Sequence, residues 1–132
     1  MKPQRPPGMG AIRNWADDSE LAIFKKYDGR KVRRVSMQDR EVVMWFDNGT
    51  LTLEDDGQAC CEYRYFTCDD DVHSIVGEEL IDIAVKDGPS IEDDESHDTT
   101  FVEILTTKGF INFTAHNEHN GYYGGFSIRI RG

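Results

Sequence analysis

The 132-residue chain carries 25 acidic against 15 basic residues, a formal net charge of −10. That balance excludes a general binder of the nucleic-acid phosphate backbone and points to a cation, a basic protein surface or a small polar molecule as partner, or to mimicry of a polyanion. With 38% apolar residues, seven Phe, five Tyr and two Trp, the chain suits one globular domain. At this length it can bury roughly two-thirds of its unfolded surface without a disulfide or metal staple.

Residues 1–10 hold three of the four prolines and two glycines and read as a flexible arm, with residues 11–132 as a single β-rich domain. The arm lacks the apolar core of a signal peptide, and no apolar run reaches membrane-spanning length. The cysteines, Cys60, Cys61 and Cys68, are odd in number with two adjacent, unlike a secreted disulfide framework. A cytoplasmic location, with no membrane partner, is the expectation.

Asp17-Asp18-Ser19 before Glu20-Leu21-Ala22-Ile23-Phe24 is a helix start with acids in the first turn, and predicts a short helix over 18–26, ended by Asp28-Gly29. From Arg30 the period falls to two. Val32, Val35 and Met37 mark a basic strand. Glu41–Phe46 is apolar on both faces and reads as a central strand covered on both sides. Asn48-Gly49 between apolar runs predicts a hairpin into Leu51 and Leu53.

Asp55-Asp56-Gly57 is a second turn. In the next strand Cys61, Tyr63 and Tyr65 share one face, and Cys60, Glu62, Arg64 and Phe66 the other. Cys68–Gly77 reads as one helical turn closed by a glycine. Glu79–Lys86 alternates, with Ile81, Ile83 and Val85 on one side. Asp87-Gly88-Pro89-Ser90 breaks that strand, and Glu92–Asp98 is a solvated loop. Phe101–Thr107 and Phe110–Ala115 are strands joined at Lys108-Gly109, and Phe126–Arg131 closes the chain. About eight short strands at regular spacing predict a mainly β, antiparallel domain, a sandwich or curled meander, with one short N-terminal helix and a helical turn.

The chemistry concentrates in His116-Asn117-Glu118-His119-Asn120-Gly121-Tyr122-Tyr123-Gly124-Gly125-Phe126. Its histidines and asparagines donate and accept hydrogen bonds, its tyrosines offer flat faces with hydroxyl handles, and its glycines permit tight turns. The stretch reads either as a glycine-hinged corner or as the rim of a site for a small polar ligand. The candidate ligand-binding residues are His116, Asn117, His119, Asn120, Tyr122 and Tyr123, with Glu62 and Tyr63 from the neighbouring strand.

Cys61, His116 and His119 are the candidate metal ligands, but the chain has no C-x-x-C or H-E-x-x-H spacing, and in an extended strand the two histidines face opposite ways. The same three residues are the pieces of a metal- or cysteine-dependent hydrolase. Cys61 beside Glu62 would have a raised thiol pKa, which counts against a nucleophile. Asp69–Asp71 lacks the glycine and distal glutamate of a calcium loop. No catalytic residue is assigned and no cofactor is expected.

Cys60-Cys61-Glu62, Asp69-Asp70-Asp71 and the His116–Phe126 motif together resemble a family of small bacterial and phage proteins that is catalogued as a domain of unknown function and is frequent in phages of actinobacteria. The likeness covers Val42 to Ile130. It implies a provenance rather than a mechanism: a small acidic accessory protein, non-enzymatic, that binds a host protein or sequesters a small polar ligand. The hydrolase and a nucleic-acid mimic built on Asp69–Asp71 and Glu92–Asp98 are the alternatives. The oligomeric state is open.

Overall fold

The structure, a computed structural model, describes residues 11–55, 62–91, 96–119, 126 and 128–132. Two four-stranded antiparallel sheets share one core. Sheet I comprises β1 (Arg34–Gln38), β2 (Glu41–Phe46), β3 (Gly49–Asp55) and β8 (Ile128–Arg131), in the order β1-β2-β3-β8. Sheet II comprises β4 (Glu62–Cys68), β5 (Leu80–Ile91), β6 (Ser96–Thr106) and β7 (Gly109–His119), in the order β4-β7-β6-β5.

Period-two alternation explains both sheets. Val42, Met44, Leu51 and Leu53 of sheet I are buried with Ile83, Val85, Val102, Ile104 and Phe113 of sheet II. The residues between them look outward. On β2 the outward Val43 and Trp45 are only half-buried, which corrects the reading of a strand covered on both sides. Among the described residues no further layer packs there; the Arg34 guanidinium lies 4.8 Å from the Trp45 ring centre instead.

Two short helices flank the sheets. In α2 (Asp18–Lys25) Asp17 accepts from the Glu20 backbone N–H, and Glu20 accepts from the Asp17 N–H, a complete capping box. Hydrogen bonding from the Glu20 and Ser19 groups holds the Asp17 carboxyl below the usual carboxylate range. Glu20 also accepts from the Ile130 N–H at 2.8 Å, which ties the helix to β8. The single turn α1 (Ile12–Trp15) has no sequence signal. Tertiary bonds hold it: Ile12 N–H donates to Asp82 Oδ1, and the Trp15 indole donates to the Ile83 carbonyl.

Three further expectations change. β5 runs through Asp87–Ser90 rather than breaking, with a register shift between those residues. Proline is tolerated because β5 is an edge strand and needs no N–H on its free side. A second shift between Leu80 and Asp82 buries Leu80 and Ile83 while Ile81 is 46% exposed, so Ile81 does not join the Ile83–Val85 face. Glu92–Asp98 is not wholly a loop, since β6 begins at Ser96 and Asp98 pairs with Asn117. The 3-10 turn Val72–Ile75 agrees with the predicted helical turn, with Asp71 accepting from the His73 N–H and Gly77 at φ +89°.

The β2–β3 hairpin pairs Phe46 with Gly49, so Asp47-Asn48 forms its tip and Gly49 opens β3. Gly49 has φ +142°, and a Cβ there would sit 2.6 Å from the Tyr27 hydroxyl. Conformation and space both demand glycine. Gly49→Ala is expected to cost about 1–3 kcal/mol in urea denaturation. Adding Tyr27→Phe should recover part of that loss, whereas Gly29→Ala, which meets nothing within 4 Å, should show only the conformational share.

Candidate functional site

The β4 and β7 strands pair Glu62 with His119, Tyr63 with Glu118, Arg64 with Asn117 and Tyr65 with His116. Alternation therefore sorts the chemistry of these strands into two layers on opposite faces of sheet II.

The inner layer is a buried polar network. Arg64 Nη1 donates to Asp55 Oδ1 at 2.7 Å and Nη2 donates to Glu62 Oε2 at 3.0 Å. Asn117 Nδ2 donates to the same Glu62 oxygen at 2.8 Å. Alongside, His119 Nε2 and Asp98 Oδ2 are hydrogen-bonded at 2.9 Å. Asp55 and Arg64 are at most 5% exposed, so these ions survive only by pairing. Asp55 belongs to sheet I, and its bond to Arg64 crosses between the sheets. Asp55 also lines a polar cleft of about 750 Å³, together with Gln38, Asp39, Arg40, Glu41 and Glu54. Two of the cleft acids, Glu41 and Glu54, are engaged by Arg131.

The outer layer is a row of rings across three strands. Tyr63 leans on Tyr65 with ring centres 4.9 Å apart. Tyr65 stacks on His116 at 4.6 Å and 8°, and His116 meets His97 at 5.1 Å. Hydrogen bonds lock the row: His97 Nε2 to His116 Nδ1 at 2.9 Å, His116 Nε2 to Thr67 Oγ1 at 2.8 Å, and the Tyr65 hydroxyl donating to Glu118 Oε2. Burial, the bond to Glu118 and the charge of Glu118 push the Tyr65 hydroxyl up to about 12. Burial first, then the neighbouring His97, lowers the His116 pKa; the Glu118 charge opposes this. The imidazole of His116 is therefore neutral at pH 7.

The sequence-derived candidate set is thus divided. Tyr63 and His116 lie outside, while Glu62, Asn117 and His119 lie inside. Asn120, Tyr122, Tyr123 and Cys61 lie outside the described residues, as do the N-terminal arm and Cys60. The corner expected to begin at His116 is strand as far as His119, because both neighbours, β4 and β6, extend far enough to pair with it. Consequently His116 and His119 do not converge on one ion or one substrate. Among the described residues no group of three or more His, Cys, Asp or Glu side chains could hold a metal. The described thiol, Cys68, has its pKa raised by burial and the nearby aspartates, which makes it a poor nucleophile.

Sequence reasoning missed His97, Glu118 and Thr67 in the outer layer, and Asp55, Arg64 and Asp98 in the inner one. Counting by twos from Tyr63 and His116 reaches Tyr65 and Glu118. His97 and Asp98 had no such signal, because they enter the site only through the β6–β7 register.

The family model of a domain of unknown function, DUF7448, matches residues 25–128. The chain belongs to this family. Both layers, from Asp55 to His119, fall inside the DUF7448 match. No curated protein and no solved structure matches the chain.

Two outcomes follow for this DUF7448 domain. Arg64→Ala leaves two buried carboxylates without their cation and is expected to cost about 3–5 kcal/mol by chemical denaturation, while His116→Ala stays near 1 kcal/mol or below. The lowered His116 pKa also has a sign. The unfolded chain takes up this proton before the folded one, so the associated stability is complete above about pH 6.5 and declines as pH falls towards the folded value. Stability measured from pH 7 to pH 5 should therefore fall less steeply in His116→Gln than in the native chain.

Proposed function

We propose that the protein is a non-enzymatic binding module, a small accessory protein of phage type that engages a basic surface of a host protein in the host cytoplasm. The observation that carries this reading is the ordered ring row on the outer face of sheet II, which ends in Tyr63, 56% exposed. Stacking and hydrogen bonds already hold Tyr65, His116 and His97 in place, so a partner would lose little side-chain freedom in docking there. The net charge of −10 favours a cationic partner and speeds its encounter.

The same geometry weighs against the alternatives. A hydrolase built on His116 and His119 needs them on one face. A nucleic-acid mimic that uses the Glu92–Asp98 run needs those acids displayed, yet Asp98 turns to His119. The inner network supports the strands beneath the rings and acts through their stability.

Affinity capture from host lysate, with quantitative mass spectrometry, tests the reading. The native protein should enrich a basic host protein that both Tyr63→Ala and His116→Ala lose, with melting temperatures within about 4 °C of native. His119→Ala should lower the melting temperature instead. Retention of the partner by both outer-face variants, or enrichment of a small molecule alone, would overturn it.

A further inference from the structure

The fold contains its own reference for an outward-facing aromatic residue. On sheet I, Trp45 stands directly across from Arg34, and the Arg34 guanidinium carbon lies 4.8 Å from the ring centre. That contact is a cation–π pair built into the surface. On sheet II, Tyr63 stands directly across from Glu118. Among the described residues no guanidinium or ammonium lies over the Tyr63 ring.

The surroundings of Tyr63 supply what a guanidinium needs besides a ring. Glu118 accepts the Tyr65 hydroxyl through Oε2, and its Oε1 has no hydrogen-bond partner among the described residues. One side of the Tyr63 ring leans on Tyr65, tilted by 34°, which fixes the ring while 56% of the residue stays open to solvent. Two imidazoles stand further along the row: His97, across from Glu118, and His116, whose pKa is lowered. The lowered pKa of His116 keeps that ring from repelling an incoming cation.

We propose that this end of the outer face is an arginine-recognition site, in which a guanidinium from the basic host partner stacks over Tyr63 and donates to the Glu118 carboxylate. This rests on the outer face being the binding surface. The occupant is an arginine rather than a lysine for a geometric reason. A planar guanidinium can lie flat on the ring and still direct its edge N–H groups at a carboxylate, whereas an ammonium is a compact, strongly hydrated point charge.

A titration followed by amide NMR, with hexa-arginine and hexalysine peptides at 150 mM salt, tests the site. Hexa-arginine should bind several-fold more tightly than hexalysine, with shifts centred on Tyr63, Tyr65 and Glu118. Tyr63→Ala should weaken it roughly two- to fivefold, and Tyr63→Phe should leave it nearly unchanged. Glu118→Gln, which keeps an acceptor for Tyr65, should weaken it by a similar factor. Equal affinity for the two peptides, shifts centred on the Gln38–Glu41 cleft, or indifference to Tyr63→Ala would overturn the site.

Competition in the capture experiment separates this inference from the one beneath it. If Tyr63→Ala loses the host partner while hexa-arginine does not displace it, the outer-face reading stands and the arginine site falls. If the partner is indifferent to Tyr63→Ala alone, the arginine site falls; if it is indifferent to both Tyr63→Ala and His116→Ala, both fall.

Discussion

Arg64 lies between the two sheets and binds one carboxylate from each. Asp55 comes from the end of β3, and Glu62 from the start of β4. A guanidinium this deeply buried is tolerated only with its charge matched and its N–H groups bonded. Its position therefore fixes the facing ends of both sheets, and through Glu62 it fixes Asn117 of β7 as well. The apolar core fills the space between the sheets, but apolar packing is not directional. The polar network is, and it pins which strand ends face each other.

That constraint reaches the opposite face of the same sheet. In a strand, setting one residue inward sets its neighbours outward. Placing Glu62 and Arg64 inside puts Tyr63 and Tyr65 outside; placing Asn117 and His119 inside puts His116 and Glu118 outside. The ring row is thus the other side of the buried network, read one residue out of phase. A one-residue slip of β7 against β4 would bury Glu118 and His116 and expose Asn117 and His119. The ion network makes such a slip costly, so the outer surface inherits its order from the inner one.

Much of the architecture was legible from the chain. Alternation at Tyr63–Phe66 and Phe110–Ala115 identified strands and their faces correctly, and Asp17-Asp18-Ser19 before an apolar run marked the helix start. Mistakes fell where a local signal was overruled by pairing. Asp87-Gly88-Pro89-Ser90 carries every mark of a break, yet the edge position of β5 and a bulge absorb it. His116–His119 looked like the beginning of a corner because of the glycines that follow, yet two neighbouring strands were long enough to hold it extended. Ile81 fits a clean alternation, yet a bulge put it in solvent.

The sequence by itself determined the secondary structure class, the acidic character, and the face on which each strand residue lies relative to its neighbours. These depend on interactions within a few residues or on a simple sum of charges. Only the tertiary structure decided that His97 of β6 meets His116 of β7, that Asp55 closes on Arg64, and that Tyr63 stands beside Glu118. Those contacts depend on strand order and register across separations of up to 55 residues. Period two places a side chain on a face and leaves open which strand lies next to it.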